Sequence, residues 1–348
     1  MTPSPPFDEQ APFVVGVNLP WHVYGCDFGA SSWSREGGIG RLAEPHPLDD
    51  AFARLAAQDT RLLRWFVLCD GRSGIQWDDD GTPLGLDAFF LRDFDAALAL
   101  ASSYGLRLMP VLFDFLWFHA ARPRDGVQMG GHADVVADEG RRRLLLSNVV
   151  EPILQHAADS PVIHSWDILN EPEWATRGVG AWLEDGGVWP AEMRAFLGEA
   201  AERVHTLTSH AVTVGSATAR WRGLVSGLGL DYYQFHWYDH LEGEAPLERP
   251  VETMKLDRPA ILGEFPTRGS SRNVATILDA ARNAGYRGAL AWSALGDDEV
   301  SDYFASAEEI AAWRAENGCG APNVETAMAS ATSPPAMPDA IVDPSQQS

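Results

Sequence analysis

Cysteine is scarce in this chain. Cys26, Cys69 and Cys319 are spread over 348 positions, too few and too scattered for a disulfide framework or a zinc cluster, and an odd number suits a reducing compartment. Positive charge is also short: 26 Lys and Arg stand against 49 Asp and Glu, a net charge of −23. Such a surface repels phosphate backbones and anionic lipid, which argues against nucleic-acid and membrane partners. No stretch reaches the roughly 18–20 uncharged apolar residues that a transmembrane helix needs. The opening MTPSPPFDEQAPF holds no Lys or Arg and no apolar run, so no secretory leader is expected and the default location is the cytoplasm. None of the ten histidines falls in a His-x-His or His-Glu-x-x-His pattern, so neither a metal nor a cofactor is expected.

What is present is a chain that is 45% hydrophobic with 32 Gly and 23 Pro, enough for one large α/β domain or two ordinary ones. Residues 318–348 are rich in Ala, Ser, Pro and Thr and read as a disordered tail, and the first ten residues look similar. The folded domain is therefore expected over 11–317.

Within it, eight short apolar runs alternate with helical patterns. The runs are 13–18 (FVVGVN), 62–68 (LLRWFVL), 107–113 (RLMPVLF), 162–169 (VIHSWDIL), 211–215 (AVTVG), 232–236 (YYQFH), 260–263 (AILG) and 289–292 (ALAW). Between them, 87–104, 139–156, 190–208, 271–283 and 306–314 carry apolar residues at helical spacing, with Gly105 placed as a stop and Pro190 as a start. Near-continuous apolar strands separated by helices pair in parallel through right-handed crossovers. A doubly wound sheet is the competing arrangement. Eight repeats in some 300 residues fit a closed (β/α)8 TIM barrel, a single domain, better.

Such a barrel carries its active site at the C-terminal ends of the strands. The fourth run ends in Asn170-Glu171-Pro172 and the seventh in Glu264. The sixth ends in His236, Trp237 and Tyr238, the eighth in Trp292, and the second contains Arg64. The first leads into Asn18, Trp21 and His22. Glu171 and Glu264 lie 93 positions apart in the chain, yet both face one cavity if the barrel closes. Paired carboxyl groups of this kind serve glycosidic cleavage, one protonated to donate to the leaving oxygen and one ionised to attack. Arg64 near Glu264 would favour its ionised form, and burial beside aromatic rings would raise Glu171.

With these residues, the chain resembles glycoside hydrolases of clan A, and most nearly the cellulase- and mannanase-like enzymes of family 5. The resemblance spans about residues 13–314. It implies Glu171 as general acid/base, Glu264 as nucleophile, and a retaining double displacement with carboxyl groups about 5–5.5 Å apart. It also implies Asn170 as a ligand of the sugar 2-hydroxyl and Arg64 and Tyr238 as groups that hold the nucleophile. His236 is implied as a sugar ligand and Trp292 as the sugar platform. One departure is at the third run, where family members often place a His near the strand end. Here Asp114 comes first and His119 follows five residues later; Trp21 and His22 are the compensating candidates. Trp117 and Trp174 follow strand ends and are further candidates for stacking on a sugar.

Two letter patterns carry less. Gly38-Ile39-Gly40-Arg41-Leu42-Ala43 matches a dinucleotide fingerprint but follows no strand. Residues 267–271 (TRGSS) read as a loop and helix cap before a phosphate nest. The acidic loop 296–302 is open between a sugar-hydroxyl acceptor and a solvated turn.

Long loops follow the first run (19–47) and the fourth (172–190), the latter with Trp174, Trp182 and Trp189; loops of this length at the active face shape the site. They favour a carbohydrate substrate of short, soluble form, that is, oligosaccharides or small glycosides. An endo-acting β-1,4-glucanase or β-mannanase is the runner-up, and a non-catalytic sugar-binding barrel the alternative of another class. The oligomeric state is not legible.

Overall fold

The computed structural model describes residue 7 and residues 12–42, 45–180 and 186–319. Twelve strands occur among them: β1 (Val14–Asn18), β2 (Leu62–Phe66), β3 (Ile75–Trp77), β4 (Pro83–Leu86), β5 (Arg107–Asp114), β6 (Arg122–Arg124), β7 (Val127–Met129), β8 (Ser165–Asn170), β9 (Ala211–Ser216), β10 (Tyr233–His236), β11 (Ala260–Pro266) and β12 (Gly288–Trp292). Eight of them close a parallel barrel in the order β1-β2-β5-β8-β9-β10-β11-β12, with β12 returning to β1. These eight coincide with the eight apolar runs to within a few residues. Their residues are buried almost throughout, because helices cover the outside while side chains fill the inside.

The remaining strands form two hairpins, β3-β4 and β6-β7. The apolar-run reading has neither, since each strand is three or four residues long and gives little period to detect. Both insert at the active face, after β2 and β5.

The helices are α1 (Asp49–Ala57), α2 (Phe90–Ser103), α3 (Ala133–Ala137), α4 (Glu139–Leu145), α5 (Glu151–His156), α6 (Pro190–Leu207), α7 (Val274–Ala284) and α8 (Tyr303–Asn317). Local chemistry sets their ends. Asp87 Oδ1 accepts from the amides of Phe89 and Phe90 at the start of α2. The Asn273 side chain caps α7, and Asp302 caps α8. Both α7 and α8 end on a left-handed glycine, Gly285 and Gly318. The expected helix over 139–156 is α4 and α5 joined by one π turn, Leu146–Val150. After β9 and β10 the crossovers hold only 3-10 turns, Ala219–Leu224 in the first and Asp239–Leu241 and Val251–Met254 in the second, so the ideal repeat is abbreviated there.

The long loop after β1 is ordered by two buried carboxylates. Asp27 accepts from the amides of His22 and Val23 and from the Trp65 indole. Asp93, on α2, accepts from the amides of Gly29, Gly38 and Gly40. The glycines of the dinucleotide-like pattern thus serve a carboxylate of the protein itself. A Cβ on Gly38 would sit 1.9 Å from the Asp27 carbonyl oxygen, so only glycine fits this crossing of backbones.

At the opposite end of the barrel, Phe7 is 1% exposed and packs with Leu62, Met109, Tyr232 and Ile261. Its ring meets Tyr232 edge-on at 4.7 Å. The first ten residues thus contain a buried anchor within a segment expected to be flexible; the rest of that segment except Phe7, and the tail from 320 onward, lie outside the described residues. Among the described residues no helix is long and apolar enough to cross a membrane.

Candidate active site

A cleft of about 640 Å³ opens at the C-terminal ends of the barrel strands, lined among others by Trp21, Tyr24, Asp114, Asn170, Glu171, Trp174, Tyr238, Glu264 and Trp292. Beneath it lies a charged network that an apolar barrel tolerates because its buried charges are paired. Arg64 on β2 is 0% exposed. Its Nε donates to Asp167 Oδ2 at 2.8 Å, one terminal nitrogen to Glu264 Oε1 at 2.7 Å and Asn18 Oδ1 at 2.9 Å, and the other to Asn170 Oδ1 at 2.8 Å. Asp167 is held in turn by Gln234 Nε2 and the Gly215 amide. A Cβ at Gly215 would approach the Arg64 guanidinium to 2.5 Å, so glycine there leaves room for the network.

This arrangement gives a stability prediction. Arg64→Met leaves Asp167 and Glu264 buried without their cation, and is expected to cost about 3–5 kcal/mol. Urea unfolding of the two proteins checks this, and a loss below about 1 kcal/mol would contradict the pairing argument.

Glu264, on β11, is fixed on its other oxygen by the Tyr238 hydroxyl, which donates to Oε2 at 2.9 Å. Burial pushes its carboxyl above the usual range, against the pull of Arg64. Glu171 directly follows β8 in a left-handed backbone conformation, φ +49°, which costs a non-glycine residue on the order of 1–3 kcal/mol and is held by the surrounding structure. Its amide donates to the Gly215 carbonyl at 2.6 Å. The Trp174 indole donates to Glu171 Oε2 at 2.9 Å, and His236 Nδ1 lies 2.9 Å from Oε1. Burial raises the Glu171 carboxyl to about 7 and lowers His236 to about 4. The imidazole is therefore neutral at pH 7 and Glu171 is poised between its two forms, while of the two glutamates only Glu264 pairs with Arg64.

Oxygen atoms of Glu171 and Glu264 and a ring nitrogen of His236 all lie within 4.8 Å of one another. Among the described residues no other His, Cys, Asp and Glu side chains cluster so closely. As a metal site the trio fits poorly, because Arg64 holds a permanent positive charge against Glu264 and both carboxylates already accept from fixed donors. As a catalytic pair it fits well: one carboxyl near its midpoint at neutral pH, one held by a cation, at the short separation that direct attack on a sugar carbon requires.

The structure brings Glu171, Glu264, Asn170, Arg64, His236 and Tyr238 into one network. Trp292 and Trp21 stand on the wall, their rings edge-on at 6.2 Å with Phe66 against both. Trp174 lines the cleft, but its indole nitrogen is committed to Glu171 and its ring packs on Trp221. Two candidates fall elsewhere. Trp117 is 0% exposed, between Trp77, Phe113 and His132, because the 3-10 turn after β5 directs it inward. His22 lines a separate hollow with Cys26 and Trp33, its amide tied to Asp27. Trp182 lies outside the described residues. The acidic loop is a salt-linked turn, Arg268 pairing with Asp297 and Asp302, and the amide of Ser271 is taken by Asp239, which leaves no phosphate nest at 267–271.

Asp167, Asp114 and Tyr24 were not singled out as site residues. Asp167 had a signal: opposite charges inside two apolar strand runs, LLRWFVL and VIHSWDIL, imply a buried pair.

No protein-family model matches the chain. Its overall sequence is similar to mannan endo-1,4-beta-mannosidases from Mytilus edulis, 24% identical over 81% of this chain and 83% of the relative, and Cryptopygus antarcticus, 24% identical over 86% and 85%. The fold matches that of endo-1,4-beta-mannanase from Eisenia fetida, with TM-score 0.72 and 23% identity over 88% of this chain and 92% of the other. The chain resembles the clan A glycoside hydrolases. β8 and β11 are the fourth and seventh strands of the barrel; Glu171 directly follows β8 and Glu264 lies near the C-terminal end of β11.

Proposed function

We propose that the protein is a retaining glycoside hydrolase acting on β-1,4-mannosidic bonds, with Glu264 as nucleophile and Glu171 as general acid/base. The single observation that carries the reaction class is the convergence of these two carboxyl groups, one on Arg64 and the other beside His236 and Trp174, next to an aromatic wall. The glycone is suggested by the two curated relatives, both named as mannan endo-mannosidases. That favours the endo-acting reading over the short-glycoside reading that loop lengths suggest.

In the first step, Glu264 Oε attacks the anomeric carbon while the Glu171 proton passes to the departing glycosidic oxygen. The C–O bond to the leaving group breaks and a glycosyl ester forms. In the second step, Glu171, now ionised, takes a proton from water, whose oxygen displaces the Glu264 carboxylate and restores the β-configuration. Arg64 and Tyr238 hold Glu264 for in-line attack, Asn170 faces the reacting ring, and Trp292 with Trp21 receives the apolar C–H face of a sugar.

The test is turnover of β-mannan, manno-oligosaccharides of two to six units and the corresponding gluco-series, with wild type and Glu264→Ala side by side. Endo-action predicts kcat/KM rising from the trimer to the hexamer and a rapid fall in mannan viscosity. Equal kcat/KM on dimer and polymer would reverse the order of the two readings. Absence of turnover on the whole panel, with oligosaccharide binding retained, would point to the sugar-binding barrel.

A further inference from the structure

A third carboxyl group meets the cleft, and the two-step reaction leaves it without a task. Asp114 ends β5 and is 3% exposed. It lies in register with Asn170 on β8 and lines the cleft beside Tyr24 and Glu171. The Tyr24 hydroxyl donates to its Oδ2 at 3.1 Å, and the Leu116 amide to its Oδ1 at a long 3.4 Å. The Tyr24 ring is backed by Arg72, 4.6 Å away, which is itself paired with Asp70.

The neighbouring amide has only one possible orientation. Asn170 Oδ1 accepts from Arg64, so its amino group points away from the guanidinium, towards Asp114, its cross-strand neighbour on β5. Burial, with Glu171 adding to it, raises the Asp114 carboxyl to about 7. Near neutral pH the group exists in both forms and so offers acceptors and a donor, which is what a sugar hydroxyl demands of its partner. A carboxyl buried at this depth costs free energy unless its remaining capacity is used.

The position of a bound ring follows from Arg64. One terminal nitrogen holds Glu264 and the other holds Asn170, so a sugar carbon seated for attack by Glu264 has its neighbour's hydroxyl beside Asn170 and Asp114. In a glycoside that neighbour is the 2-hydroxyl, axial in mannose and equatorial in glucose. We propose that Asp114 is a specificity-determining residue that grips the 2-hydroxyl of the reacting sugar together with Asn170 and so selects its configuration. The inference rests on the hydrolase reading of this cleft.

The experiment compares wild type, Asp114→Asn and Asp114→Ala on 4-nitrophenyl β-mannobioside and on its analogue lacking the 2-hydroxyl of the reacting ring. On the complete substrate, Asp114→Ala is expected to lose about 10- to 100-fold in kcat/KM, the range for a hydrogen bond to an ionisable group, with partial rescue in Asp114→Asn. On the deoxy analogue the three proteins are expected to agree within about threefold, because the partner atom is gone. An equal loss on both substrates would overturn the proposal, since it would mean that Asp114 only supports Asn170 or the strand end. An unchanged kcat/KM on the complete substrate would also overturn it. Asp114→Asn keeps the side chain's shape, so its melting temperature reports whether loss reflects folding. If wild type is inert on both substrates and on β-mannan, the hydrolase reading itself falls, an outcome distinct from either of the others.

Discussion

Replacing Glu264 by alanine is expected to reduce kcat on every substrate by about 10⁴- to 10⁶-fold, the scale seen when a nucleophile is removed from a catalytic unit. No other group is placed to take its part. Arg64 and Tyr238 both converge on this carboxylate, and Glu171 is held on the opposite side by Trp174 and His236. The cavity left by the missing side chain gives the variant a second signature. A small anion such as azide, supplied with an activated aryl β-mannobioside, is expected to attack from the vacated face and yield the α-glycosyl azide. Product configuration by NMR checks this directly. Appreciable mannan hydrolysis by Glu264→Ala would remove Glu264 from the nucleophile's role.

The second large effect belongs to Glu171, and it depends on the leaving group. Glu171→Ala is expected to lose about 10²- to 10⁴-fold on mannan or manno-oligosaccharides, whose alkoxide leaving groups need a proton. Formation of the glycosyl-enzyme from a dinitrophenyl glycoside should fall far less, because that leaving group departs as an anion. Azide should then return a β-glycosyl product by attack on the glycosyl-enzyme. The pH profile follows from the same residue. Burial holds the Glu171 carboxyl near 7, so wild-type kcat/KM on unactivated substrates should fall as pH rises through that value and the acid loses its proton. In Glu171→Ala this alkaline limb should disappear. Equal losses with both classes of leaving group, or an alkaline limb that survives the substitution, would assign the acid to another residue.

The barrel was readable in the chain because a strand buried on both faces has to be apolar along its whole length. Runs such as LLRWFVL and AILGEFP stand out from the amphipathic helices between them. The hairpins β3-β4 and β6-β7 carry no such mark: Arg122–Arg124 is fully exposed and exists because its backbone finds a partner in Val127–Met129. Helix ends were legible where Asp, Asn, Pro or Gly caps them. The 3-10 turns that replace two outer helices reflect how the chain packs after β9 and β10.

At the site the division is similar. Asn170-Glu171-Pro172 and Glu264 could be placed at one mouth from sequence because strand ends in a closed parallel barrel share a face. The buried Arg64–Asp167 pair also left a trace, as opposite charges inside apolar runs. Side chains on the loops behaved differently. His22 and Trp117 follow strand ends just as Trp21 and Trp174 do, yet Asp27 ties the backbone at His22 to one side and a single turn after β5 swings Trp117 into the core. Spacing from a strand end does not fix such directions: Asp27 is itself held by Trp65, 38 positions away in the chain, and Trp117 packs against Trp77 and His132.

The barrel, its active face and the two carboxyl groups at the mouths of β8 and β11 were thus legible in the chain, because burial on both sides of a strand and strand-end geometry are local rules. Tertiary packing set which partners hold each carboxyl, which aromatic rings reach the cleft, and that Asp114 joins them. Those outcomes depend on desolvation and on the fixed positions of Arg64, Trp174, Tyr24 and Asn170, and no stretch of chain holds these together until the barrel has closed.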